Sequence, residues 1–363
     1  MEKIPFSRSE IDEGKEIMLM GVIPVQTFVT PIPPRENFRR AICKEGPLWM
    51  PNSNDNKFFL PRCSPDNTCR YLPCEIAPMD CPPEEADLDM FGIHWKFIPD
   101  ANGPIEDPDY PFMLNDISEW KEKLVMPNPD EWNWAKNGEI NRPYVQDGNW
   151  TAAWMLCGFF ERLISLLGFM EAAMEIIDED YKPDIHAFFD ELTGVYEKII
   201  DNMAKYNDID SIYFHDDWGS QRASYLNPET VHEMIVPYLK RVVERTHRNG
   251  LKFELHSCGC NDVNIPNMIE AGVDIWAPQE TANNIPKYWE EYGDKIMFGV
   301  YTHFDPEGSN EDCYAYAKAF VEKYVPYMKE KPVYLADTPI FQRLHPKMAE
   351  YIYEWSRRLL NAS

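Results

Sequence analysis

The chain has 363 residues, of which 44% are hydrophobic, and 61 acidic against 35 basic side chains give it a net charge of −26. This excess of acid excludes nucleic acid and anionic membrane surfaces as expected partners. Nine cysteines in a chain of this length do not form a small disulfide scaffold, and their odd number indicates reduced thiols. No apolar run reaches transmembrane length and no signal-like segment begins the chain, so we expect a cytoplasmic location.

The N-terminal third is irregular in pattern. Residues 1–45 are expected to form a helical extension, with helices over Ser9–Met20 and Arg35–Cys43. Leu48–Met50 is a candidate first strand. Residues 52–142 are rich in Pro, Asn and Asp and are expected to be an ordered insertion, with one strand at Asp89–Phe97. This insertion-rich region contains four irregularly spaced cysteines whose role the spacing does not define: Cys63, Cys69, Cys74 and Cys81.

From Tyr144 onward, short apolar strands alternate with helices. Strands without a polar face are typical of a parallel sheet that is buried on both sides. The regular alternation predicts an α/β protein, a closed (β/α)8 TIM barrel that forms one domain over residues 1–363. The expected strands are Thr151–Leu156, Ser211–Phe214, Leu251–Leu255, Asp274–Ala277, Lys295–Val300 and Pro332–Leu335. The expected helices cover 158–167, 184–206, 228–249, 263–271, 286–292, 311–328 and 346–360.

The segment Leu251–Cys260, LKFELHSCGC, is the most informative stretch for chemistry. It predicts a strand that presents His256 and Cys258 at its C-terminal end. Residues two apart point to the same side of an extended chain. An imidazole and a thiolate placed in this way form half of a catalytic zinc site, although a buried cysteine beside a core histidine is the alternative.

Other polar and aromatic residues follow the expected strands. In a barrel the C-terminal ends of the strands meet at one mouth, where active sites lie. We therefore expect these side chains to converge there. They are His215, Asp216, Asp217, Trp218, Gln221, Gln279, Glu280, Thr302, His303, Asp305, Asp337 and Thr338.

Eight short segments carry a recognisable pattern in this order along the chain: Pro34–Arg39, Asp89–Trp95, Phe160–Gly168, Asp216–Arg222, Asn227–Glu229, Pro237–Arg241, His256–Gly259 and Ile269–Ile275. Together they resemble the uroporphyrinogen decarboxylase superfamily. Within it, the H-x-C-G sequence that begins at His256 resembles the corrinoid-dependent methyltransferases rather than the decarboxylases. The resemblance spans almost the whole chain and implies a (β/α)8 barrel.

For the zinc-binding members, the resemblance implies His256 and Cys258 as metal ligands. A third ligand in that family, a cysteine, usually follows the last strand, where this chain has the sequence YLADTP. Asp337 is the nearest residue there that can bind a metal, and it completes the expected zinc site. Cys260, Glu280 and His303 are the other candidates for the third position.

The expected reaction is methyl transfer from a small methylated donor, such as a methoxylated aromatic compound, to the cobalt of a corrinoid. Zinc, or a proton from Asp217 or His303, would draw charge off the leaving oxygen. The corrinoid is expected on a separate partner protein, because the chain has no D-x-H-x-x-G sequence. The donor would contact four further residues at the mouth: Trp218, Gln221, Tyr225 and Trp276.

Alternative functions remain open at this stage. A cofactor-free decarboxylase would need basic side chains at the mouth, and the expected mouth is mostly acidic. A methylcorrinoid:thiol methyltransferase and a non-catalytic barrel that binds a corrinoid protein or metal are further alternatives. Methylamines, betaines and methanol are alternative donors, and the sequence does not indicate an oligomeric state.

Overall fold

The computed structural model describes residues 4–19, 23–66, 72, 74–79, 81, 85–98, 103–279, 282–337 and 343–361. Its strands are β1 Glu16–Leu19, β2 Ile23–Gln26, β3 Asn56–Phe59, β4 Trp95–Ile98, β5 Gly103–Glu106, β6 Trp150–Met155, β7 Ser211–His215, β8 Lys252–Ser257, β9 Ile275–Pro278, β10 Met297–Val300 and β11 Val333–Leu335. Its helices are α1 Ser9–Asp12, α2 Pro34–Ile42, α3 Trp120–Lys123, α4 Trp134–Val145, α5 Phe159–Leu167, α6 Phe169–Glu175, α7 Lys182–Tyr206, α8 Pro228–Met234, α9 Val236–Arg248, α10 Ile265–Ala271, α11 Ile285–Tyr292, α12 Asn310–Tyr324 and α13 Met348–Leu360. Among these helices, none combines the length and the apolar character needed to cross a membrane.

The central element is a curled parallel sheet in the order β3-β6-β7-β8-β9-β10-β11. The strands of this sheet follow one another in chain order, with the β4–β5 hairpin outside it, and this is the winding of a TIM barrel. A closed ring of eight strands was expected. This prediction is wrong in one respect, because the described residues form seven strands in this sheet. At the seam between its edges, one parallel bridge joins Asn52 to Leu335 in place of a continuous ladder.

Burial on both faces explains the apolar strands. All four residues of β9 and of β10 are buried. The outward side chains pack against the helices, as Phe253 and Leu255 of β8 do in the main core. The inward side chains fill the middle of the curled sheet, and a polar residue there, such as Glu254 of β8, is buried with hydrogen-bond partners.

The N-terminal expectations required correction. The helix expected over Ser9–Met20 ends at Asp12, and the chain then forms the β1–β2 hairpin. Gly14 lies so close to this hairpin that an added Cβ would be 2.1 Å from the carbonyl oxygen of Thr27. Tertiary packing therefore overrides the local helical pattern.

Leu48–Met50 is buried but is not a strand. The Asn37 side chain accepts a hydrogen bond from the Leu48 amide at 2.7 Å and donates to the Trp49 carbonyl at 3.0 Å. A side chain thus satisfies backbone groups that a neighbouring strand would otherwise pair. The first strand of the sheet is β3, inside the region expected to be an insertion.

The strand expected at Asp89–Phe97 was only partly correct. Its last residues form β4, which pairs with β5 in a separate antiparallel hairpin. The buried Arg162 of α5 ties this region to the barrel through Asp66 at 2.7 Å and Asp89 at 2.5 Å. Of the four cysteines in the region, Cys63 and Cys74 are buried and Cys81 is partly buried, while Cys69 lies outside the described residues.

The helices after Tyr144 follow the expected pattern closely. Asn227 caps α8 by accepting from the Thr230 amide at 2.7 Å. Pro237 divides the expected long helix into α8 and α9. Ser309 caps α12 by accepting from the Asp312 amide. Two helices were missed, α4 and α6, because neither region showed a clear apolar stripe.

Candidate metal centre

Four side chains that can bind a metal meet where β7 and β8 end. They are His215, Asp217, His256 and Cys258, and one ligand atom from each lies within 4.8 Å of the others. All four are partly buried. This set contains two imidazoles, one thiol and one carboxylate.

Strand pairing places these residues together. His215 and His256 are directly opposite each other in the parallel ladder of β7 and β8. Their rings stack with centroids 4.7 Å apart. Asp217 and Cys258 each follow two residues later, on the same side of the chain. The Cys258 amide donates to Oδ1 of Asp217 at 2.5 Å, which fixes the two strand ends to each other.

Each imidazole is held by its Nδ1 atom. Nδ1 of His256 lies 2.9 Å from the Ala277 carbonyl oxygen, which can only accept, so this nitrogen carries the proton. Nδ1 of His215 lies 2.8 Å from Oε2 of Glu161. Both rings therefore direct Nε2 towards the group, and Nε2 of His256 is 3.2 Å from the Cys258 sulfur. Such outer partners orient histidines that bind metals.

Glu161 is itself positioned by the first turn of α5. Asp216 is fully buried and accepts from the amides of Phe159, Phe160 and Glu161 at 2.9–3.3 Å. This carboxylate satisfies amides that the start of a helix leaves without partners. Asp216 points away from Asp217 because successive strand residues face opposite sides. Neighbouring aspartates thus have different surroundings, one at the helix cap and one in the group that could hold a metal.

The charges within the group are strongly coupled. Burial and the charge of His215 lower the pKa of His256 to about 4. Burial also lowers the pKa of His215, but Glu161 and Asp217 outweigh it, so the pKa of His215 is raised well above its ordinary value. Burial raises the pKa of Cys258 to about 11. Burial would raise the pKa of Asp217 as well, yet the two histidines bring it below its ordinary value.

This donor set fits zinc. Nitrogen, sulfur and oxygen donors are all common in zinc sites. With zinc bonds of about 2.0–2.3 Å, tetrahedral ligand atoms are about 3.3–3.7 Å apart. Shifts of about 1 Å would therefore bring the four atoms to that spacing. A nearby cation would also stabilise the Cys258 thiolate, which burial alone disfavours.

An aromatic layer lies beside the histidines, towards the interior of the sheet. The ring of Tyr213 stacks on His256 at 5.9 Å. Trp154 and Phe58 contact each other at 4.7 Å and pack around Tyr213 at 5.4 and 4.9 Å. These rings restrict access to the four residues from the interior of the curled sheet. A small molecule would therefore reach them from the mouth.

The sequence-predicted residues occupy varied positions. Asp217, His256 and Cys258 belong to the four-residue group. Trp218 and Trp276 are completely buried, and the Trp218 indole donates to Asp216 at 2.8 Å. Neither indole is accessible to a substrate in this structure. Gln221 is exposed, and Tyr225 is 43% exposed and packs on Phe169.

The candidates for the third zinc ligand are placed elsewhere. Asp337 is buried and accepts from the Thr302 amide at 3.0 Å and from its hydroxyl. His303 is exposed, and Cys260 lies 3.7 Å from Asp262. None of these three belongs to the group that the described residues form. Glu280 and Thr338 lie outside the described residues.

Sequence reasoning missed two residues of the centre. His215 was expected at the mouth but not as a ligand, and Glu161 was not singled out. The spacing His215-x-Asp217 repeats the spacing His256-x-Cys258 on the adjacent strand, and this repetition was the available signal. Glu161 gives no local signal, because its role depends on how α5 packs beside β7.

Comparisons with known proteins identify a fold. No family model matches the chain, and no curated protein matches it. Among solved structures, a methyltransferase from Methanosarcina mazei is similar over 89% of this chain and 99% of its own, with a TM-score of 0.60 and 13% identity. A 3-keto-D-glucoside 4-epimerase from E. coli covers 60% of this chain and 85% of its own at a TM-score of 0.34 and 11% identity, too low for an argument. The chain therefore shares a TIM-barrel-like α/β fold with the first of these structures.

Proposed function

We propose that this protein is a zinc-dependent methyltransferase that moves a methyl group from a small methylated donor to the cobalt of a corrinoid on a partner protein. The observation that carries the proposal is the group of His215, Asp217, His256 and Cys258 at the mouth of the curled sheet. The fold shared with the methyltransferase from Methanosarcina mazei supports it.

His215, His256 and Cys258 would hold the metal, with Asp217 as the fourth ligand. The low pKa of Asp217, which follows from its two histidine neighbours, makes it an anion at neutral pH. An anionic carboxylate suits a ligand better than a proton donor, so we assign Asp217 to the metal. Asp337 is not needed for this set, because its carboxylate is bound to Thr302.

Bound zinc would supply a Lewis acid that draws charge off the leaving atom of the donor. The chain's own residues orient the ligands and restrict water. Glu161 and the Ala277 carbonyl hold the two imidazoles by Nδ1. The aromatic layer of Phe58, Trp154 and Tyr213 closes the interior side. The donor must then enter from the mouth, the side that is also open to a partner protein.

The donor we favour is an aromatic methyl ether. The centre has a single thiol and a carboxylate, a harder donor set than thiol-activating zinc sites use. Activation of an ether oxygen needs such a harder Lewis acid. The cofactor-free decarboxylase is less consistent with this mouth, where carboxylates surround the histidines.

The test is a methyl-transfer assay with zinc-loaded protein and free cob(I)alamin as acceptor, followed by the loss of cob(I)alamin absorbance. The donor panel comprises methoxylated aromatics, methylamines, betaine and methanol. We expect transfer from a methoxylated aromatic, loss of transfer in His256→Ala and Cys258→Ser, and retention in His303→Ala. Absence of transfer from every donor, or equal transfer by His256→Ala, would contradict the proposal.

A further inference from the structure

A surface cleft of about 540 Å³ lies between the loops that follow β7 and β8. These are the same strands that carry the four residues of the metal centre. The cleft wall includes Arg222, Tyr225, Cys260 and Val263. Its volume lies within the range of small-molecule sites, about 300–1,000 Å³, and leaves room for one aromatic ring.

The two loops are fastened together, so the cleft is a fixed feature. The Cys260 amide donates to the Ser220 carbonyl at 2.7 Å. Gly259, with φ of +80°, packs so closely on Gly219 that an added Cβ would lie 2.1 Å from the Gly219 backbone. Neither loop can move away without breaking these contacts. Cys260 is also only two residues from Cys258, so the cleft adjoins the metal centre along the chain.

The cleft presents apolar surface beside a cation. Tyr225 is 43% exposed and Val263 is 50% exposed, so both side chains offer apolar surface to a ligand in the cleft. Arg222 is exposed, and within the described part of the chain its guanidinium makes no ion pair with a carboxylate. Most arginines of this acidic chain do pair, as Arg241 and Arg245 do with Asp190 and Asp201.

The one carboxylate in the cleft wall is already partnered. Asp262 lies 3.7 Å from the Cys260 sulfur and also interacts with the Tyr288 hydroxyl. Arg222 thus remains available to an external anion. A planar guanidinium binds a carboxylate through two parallel hydrogen bonds, and an aromatic ring can pack on Tyr225.

We propose that this cleft binds the methyl donor and that the donor is a carboxylated aromatic methyl ether. Arg222 holds the carboxylate, and Tyr225 and Val263 hold the ring. The assignment of the ligand as methyl donor rests on the proposed function. The binding of an aromatic carboxylate in the cleft can be measured without metal or corrinoid.

The experiment measures binding to the full-length, metal-free protein by calorimetry, with 4-methoxybenzoate and its neutral analogue 4-methoxybenzamide as probes. We expect the acid to bind at least tenfold more tightly than the amide. Arg222→Gln should remove that difference, and Tyr225→Ala should weaken both probes. The matched control is Arg142→Gln, because Arg142 is also exposed and shows no carboxylate partner among the described residues.

Equal binding of acid and amide, unchanged binding of the acid by Arg222→Gln, or no binding of the acid would each overturn the inference. Its failure can be distinguished from failure of the proposed function. Methyl transfer from neutral donors alone would overturn the inference and support the function. Selective binding of the acid without any methyl transfer would support the cleft assignment and contradict the function.

Discussion

The ends of β7 and β8 differ from the ends of β10 and β11, although both carry histidine and aspartate. After β10 and β11, the Asp337 carboxylate is bound by the Thr302 amide and hydroxyl, and His303 is exposed. After β7 and β8, outer partners hold the imidazoles by Nδ1, so Nε2 faces a sulfur and a carboxylate. The type of residue at a strand end therefore does not by itself predict a metal site; the partner behind each side chain decides which atoms can face a common point.

The largest expected effect is loss of metal when a ligand is removed. His256→Ala and Cys258→Ser should each weaken zinc affinity by more than about 100-fold, the upper end of what outer partners contribute. Zinc content after dialysis, measured by mass spectrometry, checks this. His303→Ala, which changes a residue after β10, is the control and should keep the zinc content of the wild type. Equal zinc content in the wild type and all three variants would mean that the ends of β7 and β8 do not differ from the ends of β10 and β11 in binding zinc.

A second prediction concerns Glu254, which lies in β8 below His256 and accepts from the Trp150 indole at 3.0 Å. Burial raises the pKa of Glu254 from 4.5 to about 7. The folded state thus binds this proton more tightly than the unfolded state, so its contribution to stability is complete below pH 4.5 and is lost as pH rises through 7. The loss amounts to roughly 3 kcal/mol.

Urea unfolding of the wild type and of Glu254→Gln between pH 4.5 and 8 checks this. The variant should lack that part of the pH dependence. Parallel pH profiles for the two proteins would show that Glu254 does not titrate as a buried group. Glu254 forms its hydrogen bonds inside the protein, whereas His256 and Cys258 at the end of β8 are the proposed metal ligands. This prediction distinguishes these two kinds of residue.

The third prediction tests the partner behind His215. Glu161→Gln should lower zinc affinity by about 10–100-fold, because outer carboxylates orient the ligand and raise its basicity. Competition with a coloured chelator measures the affinity, and the spectrum of the cobalt-substituted protein reports ligand geometry. Glu171→Gln, on the exposed surface of α6, is the matched control. An affinity unchanged from the wild type would mean that Glu161 does not orient His215.

The smallest expected effect concerns the helix that positions Glu161. In Gly158→Ala the new Cβ would lie 2.3 Å from the Asp216 side chain, which is held by three amides. We expect a loss of about 1–3 kcal/mol in the free energy of unfolding. Gly194→Ala in α7 meets no atom within 4 Å and should stabilise the protein by up to about 1 kcal/mol. Equal stabilities of the two variants, measured in urea, would contradict the packing described here.

The sequence predicted the parallel sheet well because apolar strands with short connections leave few alternatives. It did not predict the first strand, because Leu48–Met50 has the composition of a strand but is bound by the Asn37 side chain. His256 and Cys258 could be identified from their spacing within one strand. The pairing of His256 with His215 depends on register between strands, and the role of Glu161 depends on helix packing; neither property is encoded locally.

The most direct test of the central claim is X-ray absorption at the zinc edge of the purified protein. The account predicts one zinc per chain with one sulfur at about 2.3 Å and three nitrogen or oxygen neighbours at about 2.0–2.2 Å, two of them imidazoles. The sulfur should disappear from the spectrum of any zinc retained by Cys258→Ser. Zinc without a sulfur neighbour in the wild type, or a protein that binds no zinc, would contradict the metal centre at the ends of β7 and β8.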